Sequence, residues 1–438
     1  MPPKPSSTLI IGAGTFGLST AYHLAKAGYP NITLLEKGLT IPSPLSAAND
    51  LNKIIRAEYE DPFYTDLALA SIAEWTTNPL FALHYRQVGY LLGNSAGAPE
   101  KSKISLAKAL ASIEQHPSFK DQITAINTRD DIRRIAPALD GPMDGWTGYF
   151  NRLAGYAHSA NALRAVREAV KDMGVDIRLG EGVISVKYDG TGRRCTGAVT
   201  SSGEVYSADV TILTMGASIG NILPEIGRQV TAKSWAVAHV QLTEEEAGRL
   251  EGIPVTYARD LGFFFEPDRE TGLLKVSTAG AGYTNYGGGE RGDDGVRISV
   301  PPEENNFMPG GEEEAVRKVL REHLPFLAER PLVECKICWC ADTADSNYII
   351  DRVPGKEGVV VVAGDSGHAF KMMPLVGGWV KDLLEGHGQQ RVGRWRWKES
   401  SINVDGCGSG HGRVGDQVVS WRVGTTRDLS EVVKMSGE

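Results

Sequence analysis

The stretch that decides the fold is Leu9-Ile10-Ile11-Gly12-Ala13-Gly14-Thr15-Phe16-Gly17, near the start of a chain of 438 residues. Its apolar beginning predicts a short buried strand, and a helical pattern follows over Leu18–Ala27. The glycines between them have the spacing of a GxGxxG loop. In such a loop Gly12 permits a tight turn, Gly14 lets the backbone approach a pyrophosphate, and Gly17 lets the helix pack closely on the strand.

A second apolar run, Ile32–Leu35, ends in Glu36. This carboxylate lies about 20 residues past the loop, where an acid commonly binds a ribose hydroxyl. A strand before the loop, a helix after it and an acid at this distance together predict a dinucleotide-binding site. The alternative is a glycine-rich turn in an ordinary βαβ unit, and the motif by itself does not distinguish NAD from FAD.

The composition excludes several classes of protein. A hydrophobic fraction of 41% and a charged fraction of 23% are ordinary for a soluble globular protein. The net charge of −8 argues against nucleic acid and anionic membranes as partners. The sequence contains no apolar run near the roughly 20 residues that cross a bilayer. We expect a cytoplasmic protein, because Met1–Thr8 leaves no room for a signal peptide, the C-terminal MSGE is not a peroxisomal tripeptide, and five cysteines suggest no disulfide framework.

The middle of the chain predicts a mixture of helices and strands. Helical patterns occupy Pro62 to about Gln115, with a break and one strand, and again Ser159–Met173. The spacing of the next segments predicts a β meander of four strands, Asp176–Leu179, Gly182–Tyr188, Cys195–Thr200 and Glu204–Ala208. A mostly antiparallel unit follows, with strands at Ser234–Leu242, Gly262–Glu266, Leu273–Ser277 and Val296–Val300.

A second glycine-rich turn, Gly364-Asp365-Ser366-Gly367, follows the apolar run Gly358–Ala363. Such a late turn contacts the ribityl chain and the pyrimidine of the flavin in FAD proteins, so it favours FAD over NAD. We therefore predict a two-domain α/β flavoprotein with a Rossmann-type FAD-binding domain and an antiparallel-sheet substrate domain. The FAD-binding domain is predicted at 1–60, 150–225 and 335–385, the substrate domain at 61–149 and 226–334, and a loosely ordered tail at 386–438.

Five segments carry a family resemblance: GAGTFG with Glu36, Asn49–Arg56 (NDLNKIIR), Gly262–Pro267 (GFFFEP), Ile337–Thr343 (ICWCADT) and Gly364–Lys371 (GDSGHAFK). Through them the chain resembles the sarcosine oxidase and amadoriase group of FAD-dependent amine oxidases, which includes fructosyl amino acid, saccharopine and pipecolate oxidases. The resemblance covers roughly residues 7 to 385. It implies FAD contacts from Gly12, Gly14, Thr15, Phe16, Gly17, Glu36, Lys37, Asn52, Lys53, Val183, Cys338, Asp365, Gly367, His368 and Lys371.

The resemblance also implies a covalent flavin. Cys338 matches the family cysteine that bonds the 8α-methyl group of the flavin, whereas Cys335 and Cys340 do not align with that position. From the residues alone, a buried free thiol and a metal site with CxxCxC spacing are the alternatives. We expect no metal, because the sequence offers no fourth clustered ligand nearby.

Catalytic and substrate-binding residues follow from the same resemblance. Lys275 matches the lysine that activates oxygen beside the flavin, and Lys53 matches a basic residue on the flavin face. Lys371 matches the lysine that holds the substrate carboxylate, Glu266 the acid that binds a sugar, and Arg396 a second anchor.

Several residues keep a structural alternative. A surface lysine on a strand is the alternative for Lys275, and a solvated loop is the alternative for Ser46–Arg56. Trp235 and Phe263 either wall the substrate pocket or belong to the core. His368 is expected to be a turn residue beside the flavin rather than a base.

These observations predict an FAD-dependent oxidase that oxidises the C–N bond of a secondary amino acid to an imine and reduces O₂ to H₂O₂. The expected substrate is of the fructosyl amino acid, saccharopine, pipecolate or sarcosine type, with the fructosyl type favoured by Glu266. We expect a monomer whose partners are the small-molecule substrate and O₂, with neither nucleic acid nor membrane. The alternatives are an NAD(P)-dependent amino acid dehydrogenase and a catalytically silent flavoprotein.

Overall fold

The computed structural model describes residues 4–286, 297–388, 393–398 and 424–433. The strands are β1 (Thr8–Ile11), β2 (Ile32–Glu36), β3 (Lys53–Ile55), β4 (Tyr85–Arg86), β5 (Tyr90–Asn94), β6 (Ile123–Ile126), β7 (Thr147–Asn151), β8 (Gly155–Ala157), β9 (Asp176–Leu179), β10 (Val183–Tyr188), β11 (Cys195–Thr200), β12 (Val205–Ser207), β13 (Val210–Leu213), β14 (Val230–Gln241), β15 (Val255–Ala258), β16 (Gly262–Phe264), β17 (Leu273–Thr278), β18 (Tyr283–Thr284), β19 (Leu332–Thr343), β20 (Ile349–Arg352), β21 (Val359–Ala363) and β22 (Arg427–Asp428).

The α-helices are α1 (Thr15–Lys26), α2 (Pro62–Thr77), α3 (Pro79–Ala82), α4 (Glu100–Glu114), α5 (Arg129–Ile135), α6 (Ser159–Asp172), α7 (Pro224–Gly227), α8 (Glu244–Leu250), α9 (Glu312–His323), α10 (Met373–Leu384) and α11 (Leu429–Val433). Short 3-10 helices occupy Pro117–Phe119, Gly216–Asn221, Pro325–Leu327 and Phe370–Met372. Within the described ranges, no helix combines the length and the apolar character that crossing a bilayer requires.

The first sheet has the strand order β20-β21-β13-β1-β2-β9, and β1 lies in its middle. All its strands are parallel except β20, which pairs antiparallel with β21. Each of the four residues of β1 is buried, as its continuous apolar run predicts for a strand covered on both faces. Helix α1 packs against α6 and α10 beside this sheet. The predicted Rossmann-type arrangement around the glycine loop is therefore confirmed.

Strand β9 differs from its prediction. It pairs parallel with β2 at the edge of the first sheet, whereas the meander consists of β10, β11 and β12. Its apolar residues Ile177 and Leu179 pack against the large core cluster that surrounds α1. Burial of these two side chains explains why β9 joins the parallel sheet.

The second sheet is mostly antiparallel and has the order β22-β18-β14-β17-β16-β15-β5-β7-β6, with β19 also paired to β14. Residues 335–342 were expected to return to the first domain, but β19 runs antiparallel to the long strand β14, with Cys338 opposite Trp235. The strand predicted at Val296–Val300 is absent over the described residues 298–300, and Val296 lies outside the described residues. The domain boundaries themselves remain a prediction.

Two pieces of the predicted tail are packed rather than loosely ordered. Trp395 is buried and contacts the rings of Tyr348 and Trp379. Leu429 and Val432 join a core cluster that also contains Trp339. These large apolar side chains are buried against the rest of the protein. The glycine- and serine-rich composition of the tail as a whole does not predict this local packing. The rest of the tail lies outside the described residues.

Candidate active site

The loop between β1 and α1 has the geometry that its three glycines predict. Gly12 has a φ of 102°, and a Cβ placed there would lie 2.9 Å from the carbonyl oxygen of Thr214. A Cβ on Gly17 would lie 1.8 Å from the carbonyl oxygen of Gly12, so the helix packs too closely for a side chain. A Cβ on Gly14 meets only the Ser46 hydroxyl oxygen, at 3.9 Å. The open side of the loop is therefore at Gly14, where a pyrophosphate would approach the helix N-terminus.

Glu36 ends β2 beside this loop. Its carboxylate is buried and accepts hydrogen bonds from the backbone N–H of Ala13 and of Gly38, each at 2.9 Å. These bonds fix the carboxylate at the carboxyl edge of the parallel sheet, where dinucleotides bind.

The remaining residues predicted for this end of the site lie around the same edge. Thr15 and Phe16 open α1, and Lys37 is exposed directly after Glu36. Val183 opens β10, and a Cβ on its neighbour Gly182 would lie 3.7 Å from the Cβ of Lys37. The dinucleotide residues that sequence reasoning selected are thus assembled together.

A cavity forms the other end of the site. Residues at or on β3, β14, β16, β17 and β19 line it, together with the late turn. Among the predicted residues it brings together Asn52, Lys53, Lys275, Cys338, Gly367, His368, Lys371, Trp235 and Phe263.

Asn52 presents a polar group that needs a partner. The side chain is 1% exposed, and its Nδ2 has no hydrogen-bond partner. Because buried donors are nearly always satisfied, this amide indicates a ligand with an acceptor atom in the cavity. Together with the open side of the glycine loop and the buried Glu36, it fits a dinucleotide whose second half is a polar ring.

A buried ion cluster occupies one wall of the cavity. The Oδ2 of Asp50 accepts hydrogen bonds from Lys275 Nζ at 2.5 Å and from Lys53 Nζ at 2.8 Å. Burial lowers the pKa of Lys275 to about 8, although Asp50 acts in the opposite direction. Burial also disfavours the charged form of Lys53, but Asp50 outweighs it and raises the pKa of Lys53. Lys275 is 2% exposed, so it is not a surface lysine, and the buried Asp50 excludes a solvated loop here.

Cys338 lies on the same wall, on β19 opposite Trp235 of the paired strand β14. Its Sγ is 3.5 Å from Lys53 Nζ and 3.6 Å from the carbonyl oxygen of Ala47. Cys340 faces the cavity as well, because alternate residues of a strand share one face. Cys335 packs instead against the core of the second sheet. Among the described residues, no group of three or more His, Cys, Asp or Glu side chains is arranged to hold a metal ion.

The cavity lining also carries two buried cations that share Tyr59. Lys371 Nζ donates a hydrogen bond to the Tyr59 hydroxyl at 2.7 Å. Burial, reinforced by the nearby Arg56, lowers the pKa of Lys371 well below its usual range. The Arg56 guanidinium lies over the Tyr59 ring, 5.0 Å from its centre. Sequence reasoning missed Arg56 as a site residue, although it belongs to the segment Asn49–Arg56 that carries the family resemblance and it lines the cavity.

His368 is held on both ring nitrogens. Nε2 donates to the carbonyl oxygen of Ser346 at 2.9 Å, so Nδ1 is the acceptor that faces the hydroxyls of Tyr59 and Tyr348 at 3.1 Å. This geometry agrees with a turn residue rather than a base. Asp365 ties the turn to β19, because its carboxylate accepts hydrogen bonds from backbone N–H groups on both segments.

Two predicted substrate residues do not reach the cavity. Glu266 is 1% exposed, and its carboxylate accepts hydrogen bonds from Arg86, from the Tyr156 hydroxyl at 2.8 Å and from the Gly252 N–H at 2.6 Å. Arg396 is exposed and is not among the residues that line the cavity. In the structure Glu266 is paired with Arg86 and Arg396 is exposed, and the roles of both residues in substrate binding stay predictions. Their sequence neighbours match the family, but the partners of a charge come from distant segments.

The comparisons with known proteins agree with this geometry. The family model described as FAD dependent oxidoreductase matches residues 7–383. The chain is 32% identical over 412 residues to the L-saccharopine oxidase of Schizosaccharomyces pombe, which covers 89% of this chain and 93% of that protein. It is 27% identical to the human peroxisomal sarcosine oxidase, over 84% of this chain and 89% of that protein.

The solved structures give the same result. The fructosamine oxidase Amadoriase II from Aspergillus fumigatus, in complex with FSA, superimposes with a TM-score of 0.88 and 33% identity, covering 99% of this chain and 97% of that one. The preference for FAD over NAD is confirmed by the family match. This match includes both the glycine-loop edge and the residues of the cavity, and the chain belongs to the FAD dependent oxidoreductase family.

Proposed function

We propose that this protein is an oxidase that converts the C–N bond of a secondary amino acid to an imine and reduces O₂ to H₂O₂. FAD would supply the redox chemistry here, namely hydride acceptance from the carbon beside the nitrogen and two-electron reduction of O₂. The proposal rests on one cavity whose lining contains two pairs of cationic side chains. Arg56 and Lys371 form one pair, and Lys53 and Lys275 form the other, beside Cys338.

The substrate carboxylate is assigned to Arg56 and Lys371. Both side chains are buried, and the hydrogen-bond partner of Lys371 Nζ is the neutral hydroxyl of Tyr59 rather than a carboxylate. A bound carboxylate would stabilise the ammonium form that burial disfavours, and a charge-assisted hydrogen bond in such a site is strong. Tyr59 supports both cations and sets the distance between them.

The rest of the substrate meets aromatic side chains. Trp235, Tyr257 and Phe263 line the cavity, and among the described residues that line it none is an aspartate or glutamate. The site therefore offers no acid to hold a substrate ammonium, which suits oxidation of the neutral amine. It also offers no acid for sugar hydroxyls, since Glu266 is engaged elsewhere. This supports a saccharopine, pipecolate or sarcosine type of substrate ahead of a fructosyl amino acid, and one relative is named L-saccharopine oxidase.

Oxygen reduction is assigned to the wall that carries Lys275. Its ammonium group is fixed by two hydrogen bonds, to Asp50 Oδ2 and to the carbonyl oxygen of Asn52 at 2.8 Å. A cation held in place inside a site of low polarity stabilises negative charge that develops on O₂ without reorganising. Lys53 adds a second cation on the same wall.

We also propose that the flavin is attached to Cys338. Cys338 lines the cavity, with its Sγ 3.5 Å from Lys53 Nζ, so the sulfur is placed where a ring in the cavity could be reached. Cys338→Ala should release all flavin on acid precipitation. Cys340→Ala is the matched control, because Cys340 faces the same cavity, and it should keep the flavin in the pellet. Flavin that stays with the Cys338→Ala protein, or that leaves the unaltered protein completely, rules out this attachment.

The decisive experiment on function is a peroxide assay on the purified yellow protein with saccharopine, pipecolate, sarcosine and fructosyl-glycine side by side. We expect peroxide with at least one of the first three and the least with fructosyl-glycine. Peroxide from none of the four would favour the catalytically silent flavoprotein. A cytoplasmic location and a monomeric state remain predictions from the sequence.

A further inference from the structure

Asp50 is a buried acid behind the cavity wall, where it accepts hydrogen bonds from two lysines that line the cavity. Its side chain is 1% exposed, and Oδ1 accepts a hydrogen bond from the N–H of Leu51 at 2.9 Å. The backbone carbonyl of Asp50 accepts further hydrogen bonds from Ser159 Oγ at 2.8 Å and from the N–H of Ala160 at 3.1 Å. These bonds hold the backbone of Asp50 and one of its carboxylate oxygens in place. The other carboxylate oxygen, Oδ2, accepts hydrogen bonds from both Lys53 and Lys275.

We propose that Asp50 is the positioning residue of the oxygen step: its single carboxylate holds two ammonium groups at the cavity wall and keeps Lys275 charged. This inference rests on the proposed role of Lys275 in oxygen reduction. One carboxylate between two ammonium groups leaves one positive charge in excess, and that charge remains available to the developing charge on O₂. Without the carboxylate, two buried cations would repel each other, and one of them would lose its proton.

The other groups that face this pair cannot replace Asp50. Lys336 donates to the carbonyl oxygen of Asn49 at 2.7 Å and adds positive charge. His239, opposite Lys275 in the β14–β17 pair, is buried, and burial lowers its pKa, so it is neutral. The thiols of Cys338 and Cys340 and the ring of Phe265 complete the surroundings. Among these described groups, Asp50 is the acid.

Because the carboxylate is shared, two variants should shift the pKa of Lys275 in opposite directions. Asp50→Asn removes the negative charge and keeps the shape, so the pKa of Lys275 falls. Lys53→Met removes the competing cation and leaves the carboxylate to Lys275, so the pKa of Lys275 rises. A residue that only holds the loop together would give the same effect in every variant that loosens it.

The first measurement is reoxidation of the holoenzyme by O₂. Reduction with dithionite removes the need for an amino acid substrate, so the result does not depend on which amine is oxidised. Rates are followed by flavin absorbance from about pH 6 to about pH 10, and the rate should fall as Lys275 loses its proton. We expect this fall to move by at least about one pH unit towards acid in Asp50→Asn. Asp50→Glu, which keeps the charge, should restore most of the profile.

The second measurement titrates Lys275 directly. Competitive acetylation of the full chain at each pH, read by mass spectrometry of the Lys275 peptide, reports its pKa whether or not the variant turns over. Ser159→Ala is the control, because it removes a bond that holds the Asp50 loop and leaves the charge unchanged.

The inference is overturned if Asp50→Asn leaves both profiles in place, if Ser159→Ala moves them as far, or if Lys53→Met moves the Lys275 titration in the same direction as Asp50→Asn. Failure of the proposed function would differ: no tested amine would give peroxide, while the acetylation profiles would still separate the variants.

Discussion

At the scale of single residues, the buried lysines of the cavity differ in the partner that each one has. Lys53 and Lys275 share a carboxylate, whereas Lys371 donates to the hydroxyl of Tyr59. The first two are charged within the protein itself. The hydrogen-bond partner of Lys371 Nζ is a neutral hydroxyl, so a bound carboxylate would favour its charged form and link its protonation to binding.

This link gives a pH dependence for carboxylate binding. The pKa of Lys371 is lowered in the free protein by burial and by Arg56, and a bound carboxylate raises it, so binding takes up a proton. The affinity for acetate, which has no amine to titrate, should therefore weaken as the pH rises between the free and the bound pKa of Lys371. Lys371→Met should weaken binding by roughly 10- to 100-fold and remove this pH dependence.

The measurement is a titration of the flavin absorbance with acetate at several pH values. Lys381→Met is the control, since Lys381 pairs with Glu385 on α10, away from the cavity. An unchanged pH slope in Lys371→Met would assign the proton uptake to another group.

At the scale of elements, the glycine loop contains one glycine that helix packing requires, Gly17, and one that cofactor binding is expected to require, Gly14. Gly17→Ala places a Cβ 1.8 Å from the carbonyl oxygen of Gly12, so it should prevent α1 from packing on β1. Gly14→Ala adds a Cβ with only the Ser46 hydroxyl within 4 Å, at 3.9 Å, so the chain should fold as before. The added methyl group would instead obstruct the pyrophosphate.

The expected results therefore differ between two measurements. Thermal unfolding of the flavin-free protein should be unchanged in Gly14→Ala and strongly destabilised in Gly17→Ala. FAD titration should show a large loss of affinity in Gly14→Ala. Tight FAD binding by Gly14→Ala would move the pyrophosphate away from this loop.

The sequence predicts these elements better than it predicts their partners. The apolar run of β1, the helix after it and the acid of Glu36 are local signals, and each was identified correctly. Strand β9 is predicted as a strand, but its partner is non-local, because it joins the parallel sheet. Residues 335–342 are not predicted as a strand, and in the structure they belong to β19, which pairs with β14. The periodicity of a strand reports which of its faces is apolar and does not report which strand lies beside it.

The same limit applies to charged residues of the site. Lys53, Lys275, Cys338 and Lys371 are far apart in the chain, and a family resemblance was needed to bring them together. The resemblance does not reveal that Arg86 and Tyr156 engage the carboxylate of Glu266, and no local signal in GFFFEP shows these partners. It also gives no role to Arg56, which lines the cavity directly after β3.

At the scale of the whole molecule, the end of the chain supports the strand that carries Cys338. Strand β22 pairs with β18 at the edge of the second sheet, and α11 places Leu429 and Val432 against Trp339. Because neighbours on a strand point to opposite faces, Trp339 packs on the C-terminal segment while Cys338 faces the cavity. The C-terminal segment thus backs the cavity wall from the other side.

Loss of this support should destabilise the protein. Leu429 is 3% exposed, and Leu429→Ala removes packing against Trp339, at a cost of about 2–5 kcal/mol in the free energy of unfolding. Glu431→Gln is the matched control on the same helix, since Glu431 is exposed and its change should be near neutral. Thermal unfolding followed by flavin fluorescence measures both variants. Because Trp339 adjoins Cys338, flavin should leave Leu429→Ala at a lower temperature than it leaves the unaltered protein if the tether is absent. If the tether is present, flavin fluorescence should rise on unfolding at that lower temperature while the flavin stays attached to the chain. Equal unfolding midpoint temperatures for Leu429→Ala and Glu431→Gln would mean that the C-terminal helix does not stabilise this wall of the cavity.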